Sequence, residues 1–370
     1  EFMWGGMENI TLTHNTDRTM HDSKAQPDHS SDGLVAHELA HQWYGNMITT
    51  RNWANIWLNE GFATYFSRLY LTKDRGKDEG DYIRFNEIRG FKSADKRKRR
   101  PTVDYNYEEP FELFSSHVYA KGSLILNMLH DVLGDDAFWR SIKHYTTKNK
   151  LKNVETVDLK KSIEVTTGQN LDWFFKQWVY EPGFPEYDVS WTYNQRNKLL
   201  SLHVKQVQDL KTTSLFKMPI NVLIDNGTVE EHVIWVEDLD SVFKIHTDKR
   251  PRMVVFNSGL KVPSNLKIQK SVSDLKYQLI NAPNVLDRIW AAQQLSKKKG
   301  RKIVEYALLK SAREDSFWAV RSEAYSSLGK LKTKANQEDF QWIKNNEKDN
   351  RVKRSFIRSL RHQLNDDNVS

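Results

Sequence analysis

The sequence predicts a multidomain α+β chain: a mainly helical domain first, a β-sandwich second and a helical repeat region last. Three observations carry this. Apolar residues recur at helical spacing from about residue 30 to 183, the period falls to two after Pro185, and helical spacing returns from about 272. The 370 residues suit two or three domains at roughly 150 residues each. The expected boundaries are 1–184, 185–270 and 271–370, the first of them at the breaker Pro182-Gly183-Phe184-Pro185.

In the first domain, Ser30, Ser31 and Asp32 offer N-caps to a helix expected to run to Gly45. Its apolar positions Leu34, Leu39, Ala40 and Trp43 suit burial under a cleft. A second helix is expected from about Ile56 to Asp74, stopped by Gly76. A third starts after Tyr119-Ala120-Lys121-Gly122 and carries Leu124, Leu126, Met128, Leu129 and Val132. A Trp-bearing helix from Leu171 to Val179 closes the segment. The basic run Lys96 to Arg100 reads as a solvated loop ahead of Pro101. Residues Glu1 to Asn9 hold neither an initiator Met nor a signal peptide, so the chain reads as starting inside a domain.

Past Pro185, Tyr187, Val189, Trp191 and Tyr193 alternate with polar residues, as do Leu200, Leu202 and Val204. Ile220 to Ile224, the turn Asp225-Asn226-Gly227 and Val229 to Val236 read as a hairpin. Val254-Val255-Phe256 is the expected last strand of the sandwich. Further on, Arg288 is followed seven residues later by Leu295, Arg321 by Leu328 and Lys353 by Leu360, at offsets of 33 and 32 residues. Each unit fits one helical hairpin of a short HEAT-like α-solenoid; three unrelated amphipathic helices are the competing account.

Composition closes several doors. No run of about 18 apolar residues is present, which rules out a membrane-spanning helix. With 0 Cys there is no disulfide, no thiolate nucleophile and no Cys-based metal site. A net charge of +8 permits nucleic acid without indicating it, and the basic run carries no stacking aromatics, so no nucleic-acid partner is expected.

The chemistry begins at His37-Glu38-Leu39-Ala40-His41. On a helix, residues four apart share a face, so the two imidazoles can hold one cation and Glu38 can reach a water beside it. Nineteen residues after His41 comes Glu60, within Trp57-Leu58-Asn59-Glu60-Gly61-Phe62-Ala63. Its apolar neighbours argue against an idle solvated carboxylate. His37, His41 and Glu60 together make the ligand set of a hydrolytic zinc site with an open fourth position.

These residues, with Gly5-Gly6-Met7-Glu8-Asn9 upstream and Tyr119-Ala120-Lys121-Gly122 and Pro182-Gly183-Phe184-Pro185 downstream, resemble the gluzincin aminopeptidases, aminopeptidase N and its relatives, including leukotriene hydrolase. The resemblance covers residues 1 to about 185; beyond that it rests on architecture. It implies a thermolysin-like catalytic domain, one zinc ion per chain, and removal of N-terminal residues from peptides with a free N-terminus. Glu38 would then be the general base, and Glu8 would bind the substrate's α-ammonium. The backbone of Gly5, Gly6 and Met7 would lie along the substrate, and Tyr119 would donate its phenol hydrogen to the oxyanion. By residue type alone Tyr105, Tyr107 and Tyr145 stay open as donors. Family members begin with a large N-terminal β-domain that this chain lacks, so an exposed docking face and a partner of that kind are expected. Two rival readings remain: a thermolysin-type endopeptidase without the amine anchor, and a catalytically idle scaffold working through its helical repeats.

Overall fold

The computed structural model describes residues 4–361. It opens with an unforeseen hairpin in which β1 (Gly6–Met7) pairs antiparallel with β2 (His14–Asn15). Helix α1 (Asp32–Ala40) follows, then β3 (Ile48–Thr50), α2 (Trp57–Arg75), α3 (Lys77–Arg97), α4 (Ala120–Leu133) and α5 (Asp135–Lys148). Next come β4 (Lys152–Val154), α6 (Thr156–Thr167) and α7 (Asp172–Phe175), which runs into a π-helical turn at Lys176–Tyr180. Strands β3 and β4 pair in parallel.

The axis of this part is α2. Trp57, Leu58, Phe62 and Tyr65 are buried, and the Trp57 indole N–H donates to Thr156 Oγ1 at 2.9 Å. Gly76 ends the helix at φ +92°, a conformation open to glycine at little cost. At its middle, Ser67 Oγ donates to the Gly33 carbonyl at 2.7 Å and pins the start of α1.

Three expectations for this domain need correction. Helix α1 stops at Ala40 rather than Gly45, because the chain turns back on itself: the Gly45 N–H donates to the Ile48 carbonyl at 2.8 Å. Leu39 (58 % exposed) and Trp43 (49 %) are not buried. Val35 and Leu39, four apart on one face of α1, are exposed together, and Trp43 lies beyond the end of the helix. The basic run is neither a loop throughout nor wholly solvated: Lys96 and Arg97 are the last residues of α3. Arg100 is buried and donates to the Leu113 carbonyl and Ser115 Oγ, which satisfies its guanidinium inside the domain.

The sheet region contains β5 (Glu186–Asn194), β6 (Leu199–Gln206), β7 (Met218–Asp225), β8 (Val229–Val236), β9 (Asp240–His246), β10 (Met253–Phe256) and β11 (Asn265–Ile268). They form a four-stranded sheet in the order β11-β5-β6-β9 and a three-stranded sheet in the order β10-β7-β8. The last strand is therefore β11, parallel to β5, and not Val254-Val255-Phe256, which pairs with β7. Neither β9 nor β11 announces itself: β9 is a half-exposed edge rich in polar residues, and β11 has 4 residues. Leu200, Leu202, Val204, Val222 and Phe256 join one continuous core with the helices of the first domain.

The last region comprises α8 (Val272–Asn281), α9 (Val285–Leu295), α10 (Lys302–Glu314), α11 (Trp318–Leu331), α12 (Gln337–Asn346) and α13 (Asn350–Ser359), around a core of its own. The spaced arginines do the same job twice. Arg288 donates to the carbonyls of Ala282 and Pro283 and pairs with Asp315; Arg321 donates to those of Asp315 and Ser316 and pairs with Glu347. Against α3, Trp318 stacks edge-on to Tyr82 at 4.9 Å and donates to Glu79 at 2.9 Å. Among the described residues no helix is long and apolar enough to cross a membrane.

Candidate metal centre

Helical geometry places His37 of α1 and His41, which caps its C-terminus, on the face that meets α2. His37 Nε2 and His41 Nε2 are 3.1 Å apart, and Glu60 Oε2 lies 3.3 Å from the first and 3.2 Å from the second. Donor atoms each about 2.1 Å from a tetrahedral ion stand about 3.4 Å from one another. The three groups thus fit one small cation and leave a fourth position open. Two imidazoles and one carboxylate favour zinc among the divalent metals.

His41 is held by its other nitrogen. Nδ1–H donates to the Tyr44 carbonyl at 2.9 Å, which turns Nε2 toward Glu60 and His37 as the atom that would meet a metal. Burial disfavours a charged His41, yet the hydrogen bond and charge of Glu60, aided by Glu8, outweigh it and hold the imidazole above its usual range. The same pair works in reverse on Glu60. Burial opposes ionisation there, but His37 and His41 keep the carboxyl well below the usual range.

Glu38, next to His37 in the chain, is buried beside His41. Burial first, and then the negative charges of Glu8 and Glu60 against the opposing pull of His41, push its carboxyl up to about 7. A group with that affinity is suited to taking and returning a proton near neutral pH. Gly6 makes room for it. A Cβ at Gly6 would lie 2.1 Å from Glu38 Oε1, so no larger residue fits while Glu38 keeps this position.

Glu8, from the Gly5-Gly6-Met7-Glu8-Asn9 segment, reaches to 3.7 Å of His41 Nδ1. Ligand atoms of Glu8, Glu38 and His41 all lie within 4.8 Å of one another. Two residues absent from the sequence reading seat this segment: Asn46 Nδ2 and Gln42 Nε2 both donate to the Glu8 carbonyl, at 2.6 and 3.4 Å. Their signal was polar side chains inside the otherwise apolar turn after His41. Gly45 lies between, at φ +141°, where a Cβ would come 3.0 Å from His41 Nδ1 and 3.2 Å from Glu8 Oε1. Gly5 and Met7 are exposed on this edge, Met7 paired in register with His14.

The tyrosines separate cleanly. Tyr119, the N-cap of α4, stacks on His37 with ring centroids 6.1 Å apart. Burial, followed by the charges of Glu60, Glu8 and Glu38, raises its phenol far above the usual range, so it stays a neutral donor. Tyr145 is enclosed in the core against Phe62 at 5.8 Å. Tyr105 is mostly exposed and receives a hydrogen bond from Asn55, and Tyr107 packs against the core.

With this geometry in hand, residues 1–178 match the peptidase family M1 domain. The matched segment contains every side chain of the centre: Glu8, His37, Glu38, His41, Glu60 and Tyr119. The chain is 29 % identical to the leucyl aminopeptidase of Saccharolobus solfataricus over 286 residues, covering 72 % of this chain and 36 % of that protein. It is 32 % identical to leucine aminopeptidase 2 of Ajellomyces capsulatus over 210 residues, covering 51 % of this chain and 32 % of that one. To aminopeptidase M1-A of Oryza sativa the identity is 35 %, with 51 % and 22 % covered. The chain thus spans about a third or less of the length of these curated relatives. In fold it is similar to the crystal structure of Legionella pneumophila aminopeptidase A in complex with aspartic acid, with a TM-score of 0.73 at 20 % identity. That similarity covers 98 % of this chain and 43 % of the other. Around the M1 segment the fold is therefore a mixed α+β one with small sheets.

Proposed function

We propose that the protein is a zinc-dependent aminopeptidase that removes residues one at a time from the free N-terminus of peptides. The convergence of His37, His41 and Glu60 on one point carries the reading, with Glu8 and Glu38 facing that point. His37, His41 and Glu60 would hold one zinc ion, which when bound would supply Lewis-acid charge to lower the pKa of a water toward about 7 and polarise a carbonyl. Glu38 accepts the proton of the attacking water and returns it to the departing amine. Tyr119 donates its phenol hydrogen to the carbonyl oxygen as negative charge develops there, a contribution on the order of 3 kcal/mol at comparable donors. Glu8 takes the substrate's α-ammonium, whose charge needs a partner in a site that excludes water. The backbone of Gly5, Gly6 and Met7 lies along the first residue of the substrate.

The domain plan belongs to the same proposal: a thermolysin-like domain over 1–184, a β-sandwich over 185–270, and HEAT-like repeats over 271–370. The repeated roles of Arg288 and Arg321 support the last.

The ammonium site separates this reading from an endopeptidase. Hydrolysis of an aminoacyl amide is expected to collapse when its amine is acetylated, while a blocked internal peptide stays intact. Faster cleavage of the blocked form would remove the aminopeptidase assignment. Gly6→Ala tests the seat of Glu38: it should keep stoichiometric zinc and lose most of the turnover, since the added carbon and the Glu38 carboxylate compete for one space. Metal analysis and turnover on the same sample decide it.

A further inference from the structure

We infer that the crossing of α2 over α4 at Gly61 and Gly122 is the device that sets Tyr119 at its distance from the metal ligands. The inference rests on the role proposed above for Tyr119. A Cβ on Gly61 would lie 2.8 Å from Gly122 Cα and 3.2 Å from the Val118 carbonyl oxygen; one on Gly122 would lie 2.8 Å from Gly61 Cα. Every one of these obstacles is backbone, so only movement of a helix relieves them.

The place of the crossing gives it meaning. Gly61 directly follows Glu60, and Gly122 lies in the first turn of α4, three residues after Tyr119. The closest approach of the two helices thus falls between a metal ligand and the tyrosine. About two turns further along α2, Arg68 donates to Ser123 Oγ, the residue after Gly122, and to Asn127 Oδ1 of α4, and pairs with Glu87 of α3. Ser123 Oγ in turn donates to Glu87 at 3.0 Å. This network holds the helices together beyond the crossing, so an added methyl at Gly61 has to tilt the end of α4 that carries Tyr119. A misplacement of about 1 Å at a catalytic group costs on the order of 10²-fold in rate. Gly61 and Gly122 are positioning residues; neither touches substrate.

An internal control exists. Gly329 of α11 makes the same kind of contact far from the site, a Cβ there falling 2.8 Å from Ser359 Cα of α13. Gly61→Ala and Gly329→Ala should both lower the melting temperature, but only Gly61→Ala should lower kcat, on the order of 10²-fold with KM largely kept. The cobalt-substituted Gly61→Ala protein should keep the absorption spectrum of the parent, showing intact ligands. A metal-free crystal structure of this variant should show the Tyr119 ring moved from its 6.1 Å seat on His37. In a Tyr119→Phe background, Gly61→Ala should then cost little more, because both changes remove one interaction. Parental kcat in Gly61→Ala, an altered cobalt spectrum, or an undiminished loss in the Tyr119→Phe background overturns the inference while leaving the proposed function standing. Parental kcat in Tyr119→Phe overturns the role of Tyr119 and this inference with it.

Discussion

Glu38→Gln is expected to bind zinc as the parent does and to turn over substrate about 10²- to 10⁴-fold more slowly, the usual worth of a positioned acid–base group. The amide has nearly the shape of the carboxyl, so the fit against Gly6 survives while the proton acceptor is lost. The pH profile adds a second check. Without metal the Glu38 carboxyl is pushed up to about 7, chiefly by burial. A dication beside it favours the ionised form and lowers that value. A base works only when deprotonated, so kcat/KM of the parent should fall as pH drops through a midpoint below about 7. That acid limb should vanish from the residual activity of the variant. Full activity, or an unchanged limb, would show that another group moves the proton.

Glu60→Ala is the second large effect: loss of stoichiometric zinc and of all turnover, with the folded core retained. Two imidazoles remain, but the anionic ligand that completes the set and balances the ion's charge is gone. The parent's dependence on pH follows from the metal-free site. His41 is raised, so its pairing with Glu60 stabilises the metal-free fold below about pH 6.5 and fades as pH rises through the raised value. Glu60 is lowered, so its share is present above about pH 4.3 and fades as pH falls through the lowered value. At neutral pH the pair is therefore formed and His41 carries a proton that the metal must displace. Zinc titrated into chelator-treated protein near pH 7 should release about one proton per ion, and its affinity should climb with pH. Calorimetry in two buffers of different ionisation enthalpy measures both. Binding without proton release would mean that His41 is already neutral in the metal-free site.

Much of the site was legible because local geometry carries it. A four-residue spacing at helical pitch puts His37 and His41 on one face whatever surrounds them, and the stop of α2 at Gly76 was read correctly, whereas α1 ends at Ala40, short of the expected Gly45. The strands of the two hairpins were legible from their alternation. Other features had no local signature. Leu39 and Trp43 are apolar, yet 58 % and 49 % of them stay exposed, so hydrophobicity alone gave the wrong burial. Arg100 sits in a run that reads as solvated, and only its buried carbonyl and hydroxyl partners take it inside.

Taken by itself, the amino-acid order determined which residue types stand at helical spacing, where the chain must break, and which chemistry a pair of imidazoles with a nearby carboxylate can perform. The tertiary structure alone decided that Glu60 meets those imidazoles at 3.2 and 3.3 Å, that Tyr119 rather than Tyr105, Tyr107 or Tyr145 stands over His37, and that Gln42 and Asn46 seat Glu8. Periodicity acts within one turn of a helix, whereas these distances depend on how α1, α2 and α4 pack across tens of residues. That packing is set by backbone contacts such as Gly61 on Gly122, where what matters is the absence of a side chain.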